Sequence, residues 1–134
     1  MSQEKLYDPI RKKWIISTPE ELVRQKVLSH LLYDLKIPRS IISVEKEIKF
    51  NALKKRYDVV VYNGTQAFIL IECKAAHISL SEDFFYQALQ YTSILKAPYF
   101  MLTNSIQAFL AKIDPITGQI NSIPTLPSYP FSSY

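Results

Sequence analysis

The tightest constraint in this chain is a pair of oily segments that carry charge at only a few positions. Arg56 to Tyr62 reads Arg-Tyr-Asp-Val-Val-Val-Tyr, Ala67 to Ala75 reads Ala-Phe-Ile-Leu-Ile-Glu-Cys-Lys-Ala, and Asn63-Gly64 lies between them. β-Branched and aromatic residues fit a pleated, half-buried surface, and Asn-Gly tolerates the positive φ angles of a tight turn. The stretch therefore reads as a β-hairpin. Within it Asp58, Glu72 and Lys74 stand out, because an unpaired charge on a buried strand costs on the order of several kcal/mol. Two carboxylates brought together also repel each other. A divalent cation answers both problems, and oxygen ligands plus water suit Mg2+, with Mn2+ as a substitute. Glu72 and Lys74 are two apart and project from one face of the strand. Lys74 then stands beside the ion, where it can orient or deprotonate a water or stabilise charge on a phosphate. That combination outlines phosphodiester hydrolysis.

The hairpin makes one geometric demand. A two-residue Asn63-Gly64 turn would set Asp58 opposite Ile69, with Glu72 facing the other side. For the two carboxylates to share an ion, a longer loop or a bulge must shift the register by one residue.

The flanking sequence supplies the rest of an α/β fold. Thr18-Pro19-Glu20-Glu21 has an N-cap residue, a proline suited to the first helical position and acids for the first turn. The helix is expected to run to about Leu35, ahead of Pro38. Its apolar face is Val27, Leu28, Leu31, Leu32 and Leu35, and Arg24 falls near the centre of that face between Glu20 and Glu21. Charges at a buried edge need partners. Ile41 to Phe50 reads as a strand, Ser81 to about Lys96 as a helix closed by Pro98, and Tyr99 to Thr103 and Ala108 to Ile113 as two short strands. The order is helix, three strands, helix, two strands, and its natural packing is a central mixed sheet flanked by helices. Residues 1–134 are expected to form a single domain, with 1–17 an irregular basic arm and 115–134 a Pro-rich tail extended over the surface.

Composition bounds the function. Only two glycines are present, which argues against a P-loop nucleotide site. Cys73 is the sole cysteine, so no internal disulfide forms, and two His with one Cys cannot build a structural zinc site. Cys73 points away from Glu72 and Lys74 and reads as a buried apolar filler. The net charge of +4 suits a nucleic-acid partner without demanding one. No apolar leader opens the chain and no run approaches the ~20 apolar residues of a membrane helix, so the cytoplasm is the expected location. Lys54, Lys55 and Arg56 could contact phosphates, and a solvated loop fits them equally. Arg11, Lys12 and Lys13 with Trp14 could touch nucleic acid by charge and stacking, although Trp14 packed on the core is the commoner fate.

Asp58, thirteen intervening residues and then Glu72-Cys73-Lys74 resembles the signature of the PD-(D/E)XK nucleases, whose fold is a restriction-endonuclease-like core. More specifically, the chain resembles small bacterial proteins related to the N-terminal nuclease domain of type I restriction enzyme R subunits. The matching segments are Asp8-Pro9-Ile10-Arg11-Lys12-Lys13, Thr18 to Gln25, Arg56 to Tyr62, Ile71 to Ala75, Gln87-Ala88-Leu89-Gln90-Tyr91 and Leu102-Thr103-Asn104. One departure is Asn104-Ser105, where the family has Asn-Gly, and it touches a turn. The resemblance implies that Asp58 and Glu72 are metal ligands, that Lys74 is the catalytic lysine, and that an acid of the first helix, Glu20 or preferably Glu21, joins the site. It further implies a role for Gln87, with Tyr91 one turn beyond on the same helix face facing nucleic acid.

Each residue alone has a plainer explanation. Asp58 could pair with Arg56 or Lys55, Glu72 with Lys74 as a surface ion pair, and Glu20 and Glu21 could be helix-start acids. Gln87 could be a solvated helix residue. The whole set favours an Mg2+-dependent deoxyribonuclease acting on DNA, in restriction or repair. It would work as a homodimer or beside a helicase or methyltransferase subunit. The rival is a catalytically silent nuclease-fold module that binds nucleic acid or assembles with such a partner.

Overall fold

A computed structural model describes residues 4–50, 53–92 and 95–132, apart from the side chains at 48, 50, 53, 55, 91 and 92. The chain opens on a two-stranded hairpin, β1 (Lys5–Asp8) and β2 (Lys13–Ile16), followed by α1 (Pro19–Ser29). Then come β3 (Ile42–Phe50), β4 (Leu53–Asn63), β5 (Gln66–Cys73), α2 (Glu82–Thr92), β6 (Tyr99–Thr103), β7 (Ala108–Ile113) and β8 (Ile120–Ser122). Strands β3 to β8 form one six-stranded sheet in chain order. Only β5 and β6 run parallel, because α2 carries the chain from one end of the sheet back to the other; every other neighbouring pair in this sheet is antiparallel.

Local chemistry accounts for α1. The Thr18 hydroxyl accepts from the Glu21 amide at 3.1 Å, and Pro19 starts the helix. A π-helical turn, His30–Asp34, extends it to the stop expected near Leu35. There Lys36 takes φ 59° and the Ile37 amide donates to the Leu31 carbonyl at 2.9 Å. Val23, Val27, Leu28, Leu31, Leu32 and Leu35 pack on one face of the sheet against Val59, Val61, Phe68, Ile69 and Ile71. The opposite face, with Val60, Leu70, Phe100 and Leu102, is covered by Phe85 and Leu89 of α2. The result is the mixed sheet with a helix on each side that the sequence predicts.

Two segments differ from expectation. Residues 4–17, the described part of the expected arm at 1–17, are not irregular. Asp8 is wholly buried, and its Oδ1 accepts from the Ile10 and Arg11 amides at 2.8 Å each, closing the turn that joins β1 to β2. Trp14 is not packed on the core either: it is 66% exposed and meets Tyr7 across the hairpin, ring centroids 5.3 Å apart. The Pro-rich tail runs largely over the surface, as expected, but it contributes β8 and anchors on the core at Leu126. Leu126 is buried on the α1 side, Phe131 stacks on Phe68 at 4.5 Å, and the Tyr129 amide donates to the Leu35 carbonyl at 2.8 Å. Apolar area in the α1-side core holds Leu126 and Phe131, where the prolines alone suggest a tail over the surface.

The departure at Asn104-Ser105 also has a structural reading. Buried Asn104 accepts from the Ile106 and Gln107 amides at 2.9 and 2.7 Å, and donates to the Ile78 carbonyl at 2.7 Å. Ser105 takes φ 75°, a left-handed conformation that glycine adopts without cost. Ser105→Gly is expected to raise stability by about 0.5–1 kcal/mol, the left-handed penalty less the extra freedom of unfolded glycine. A urea midpoint equal to or below that of the native chain would refute it.

Candidate functional site

The register of β4 against β5 decides where the charged residues meet. Asn63 pairs with Gln66 and Tyr62 with Ala67, so Gly64 and Thr65 form the turn. Then Phe68 bulges out, and Val61 pairs with Ile69, Val60 with Leu70 and Val59 with Ile71. Phe68 and Ile69 consequently both face α1. Relative to an Asn63-Gly64 turn, the register past the bulge is displaced by three residues, an odd number like the one demanded. Asp58 comes level with Glu72, not Ile69.

The β4–β5 ladder stops at Val59 and Ile71. Beyond it β4 stays with β3, where Lys46 pairs with Tyr57, while β5 stays with β6 as far as Cys73 and Thr103. The sheet forks there, and the Asp58 carboxylate stands in the fork, accepting from the Cys73 amide at 2.8 Å. Alternation also slips at this point. Val59 and Val61 face α1 and Val60 faces α2, yet Tyr57 faces α2 as well. Glu45, opposite the slip, leaves the ladder with φ 55°.

Around Asp58 lies a chain of charges anchored on α1. Arg24 is 4% exposed and donates to Asp58 Oδ1 at 2.8 Å and to Glu21 Oε1; Glu45 lies 3.4 Å and Glu20 3.7 Å from its guanidinium. Glu21 also receives Arg11 Nη2 at 2.9 and 3.1 Å. Arg11 Nε in turn donates to Asp8 Oδ2 at 2.7 Å, which Gln25 also reaches at 3.0 Å. Burial opposes the Arg24 charge, but its bond to Asp58 and the charges of Asp58 and Glu21 outweigh that and raise its pKa. Burial likewise disfavours the Asp8 carboxylate, yet the hydrogen bonds from Arg11, Ile10 and Gln25 prevail and hold its pKa below the usual carboxylate value. Glu20 behaves oppositely: burial and then the Asp58 charge raise its pKa, against the pull of Arg24 and Lys74.

The sequence marks Arg24 as a charge in need of partners without saying which. It gives no sign that Asp8 and Arg11 belong to the same chain of contacts. Glu21 has its carboxylate taken by two guanidinium groups. Glu20 is the helix acid on which the Asp58 charge acts.

Glu72 and Lys74 line a cleft of about 310 Å³ with Arg56, Phe84, Gln87, Ala88 and Leu102. The Lys74 ammonium sits over the Phe84 ring, 5.4 Å from its centroid, and its backbone amide donates to the Thr103 carbonyl at 2.9 Å. Burial and then the Glu72 charge raise the Tyr57 hydroxyl pKa. The structure thus groups Glu72, Lys74, Gln87 and Arg56 along the α2 side of the fork, and Asp58 with Glu20, Glu21 and Arg24 toward α1. Among the described residues, no cluster of three or more His, Cys, Asp or Glu stands close enough to hold a metal ion. Lys54 and Arg56 are exposed on β4, not in a loop, each 3.8 Å from Glu47. The Lys55 and Tyr91 side chains lie outside the described residues. Cys73 is buried in the α1-side core, where burial pushes its thiol pKa well up. Among the described residues, no helix is long and apolar enough to cross a membrane.

No curated protein and no solved structure matches the chain. One family does, over residues 19–127, a span that takes in α1, α2, the whole six-stranded sheet and Asp58, Glu72 and Lys74, and leaves out the β1–β2 hairpin. By that match the chain belongs to the family of type I restriction enzyme R protein N termini.

Proposed function

We propose that this domain hydrolyses phosphodiester bonds in DNA with Mg2+ or Mn2+, as the nuclease part of a restriction system. The observation that carries the reading is the fork in the sheet, which leaves Asp58 at the mouth of the strand end bearing Glu72 and Lys74. Asp58 and Glu72 offer hard carboxylate oxygens of the kind such ions prefer. Glu20 is a better third acid than Glu21, since Glu21 is committed to Arg11 and Arg24. When bound, the ion would lower the pKa of a water and balance charge on the reacting phosphate. Lys74 holds its ammonium over the cleft to orient that water or steady the phosphate, and Gln87 can hydrogen-bond the same groups from α2. Lys54, Lys55, Arg56 and Tyr91 are proposed to contact the DNA backbone or bases. The partners proposed from the family are DNA and the other subunits of a restriction system.

One feature favours the rival. Arg24 already neutralises Asp58, as it would in a silent module that has no use for an ion. Calorimetric titration with Mn2+ and a plasmid-cleavage assay separate the two. Binding at one site that vanishes in Asp58→Ala, together with cleavage that needs a divalent ion, is the expected result. Equal Mn2+ binding in both proteins and intact plasmid under every divalent ion would establish the silent module.

A further inference from the structure

The β1–β2 hairpin lies outside the residues the family covers, and neither the proposed chemistry nor the core explains its outer face. Residues directly opposite in an antiparallel pair share a face. Lys5 opposes Ile16 and Tyr7 opposes Trp14, so these four project together. Tyr7 is 48%, Trp14 66% and Ile16 49% exposed. Leu6 and Ile15 take the other face and are half-buried. An exposed aromatic pair rimmed by polar groups marks an interaction surface. Exposed Lys12, at φ 55° in the turn, adds positive charge to that of Lys5, against one exposed acid, Glu4, at the far end; Lys13 opposes Asp8 and projects from the other face.

We propose that this face is a stacking platform for single-stranded nucleic acid. Trp14 meets Tyr7 nearly edge to face, at 67°, and so leaves ring area open to a base. Unpaired bases offer free π faces, whereas bases within a duplex are already stacked. Lys5 on this face and Lys12 in the turn are placed for the phosphates between them. The excess of positive charge on the face, Lys5 and Lys12 against Glu4, favours a polyanion over a second copy of this chain. The platform is rigidly mounted: Asp8 and Arg11 tie the hairpin to Gln25 and Glu21 of α1, the helix whose Arg24 holds Asp58. The proposal does not require that the site be catalytic.

Trp14 is the only tryptophan in the chain, so its emission reports on this face alone. The full chain, in EDTA to prevent cleavage, is titrated with a short oligothymidylate. Emission is expected to fall to a plateau, with affinity dropping as salt rises. Anisotropy of a labelled oligothymidylate is expected to show about tenfold weaker binding by Trp14→Ala and near-native binding by Trp14→Phe. The double variant Lys5→Ala/Lys12→Ala should flatten the log–log salt slope by about 1.4, two contacts at about 0.7 each. The proposal falls if the labelled strand binds without changing Trp14 emission, if Trp14→Ala binds like the native chain, or if a blunt duplex quenches equally. It also falls if emission shifts to the blue with protein concentration alone, the mark of a second copy on the face. Plasmid cleavage is scored separately: cleavage without quenching removes the platform and leaves the nuclease, and quenching without cleavage does the reverse.

Discussion

Lys74→Ala is expected to lower the rate of DNA cleavage by about 10²–10⁴-fold, with little change in KM for DNA. The lysine is held at the end of β5 by its own backbone bond to Thr103, so removing the side chain does not loosen the strand. Its ammonium caps the Phe84 ring at the edge of a solvent-open cleft and is not part of the core. The stability cost should therefore stay within about 0.5 kcal/mol, as for surface positions generally. Lys74→Arg keeps the charge but replaces a compact ammonium with a longer planar group, and is expected to recover only part of the rate. Glu72→Gln should lose a comparable factor while preserving shape and burial. Cleavage by Lys74→Ala at the native rate, with both proteins folded, would sink the assignment of this lysine to the reaction.

Arg24→Leu is expected to produce the largest loss of stability of any single change at the site, about 3–5 kcal/mol, seen as a lower urea midpoint at an unchanged slope. The guanidinium is the shared partner of Asp58 and Glu21, whose side chains are only 15% and 13% exposed. Deleting it leaves the largely desolvated Asp58 carboxylate without its guanidinium partner, and Glu21 with only Arg11 of its two. Leucine restores apolar volume, so the loss measures mainly the orphaned charge. Arg24→Lys keeps one positive charge but cannot fork between two carboxylates, and should cost less than leucine. The double variant Arg24→Leu/Asp58→Asn should lose less than the sum of its parts, because the second change removes the orphaned charge. Strict additivity would show that Arg24 and Asp58 are not energetically coupled.

The same residues show how far the sequence could be read. Tyr99–Thr103 and Ala108–Ile113 appear as strands at the expected boundaries, and Thr18-Pro19 starts α1 as expected, because strand patterning and helix caps are set by neighbours a few positions away. Side-chain parity shows that Asp58 and Glu72 need an odd shift of register; nothing in the sequence says that Phe68 provides it, or that alternation then slips at Asp58 and turns the two acids to different sides of the fork. The bulge is decided by both faces of the hairpin at once, as Phe68 and Ile69 bury together under α1 while Ala67 and Leu70 bury under α2. The anchors of the tail escape the sequence for a similar reason: the prolines are visible locally, and the α1-side core that receives Leu126 and Phe131 is not.

What the sequence determined by itself is the central run of elements, from α1 to β7, and the roster of charged groups on the central hairpin; β1, β2 and β8 were not legible in it. Hydrophobic period, capping and turn chemistry act over a few residues and are written in the order of side chains. Only the tertiary structure decided which acids keep company. Glu20 and Glu21 are neighbours with the same propensities, and they part because Arg11, folded back by Asp8 from a hairpin ten residues upstream, takes Glu21. Electrostatic partnership depends on distance in space, and the chain fixes that distance only once its layers have packed.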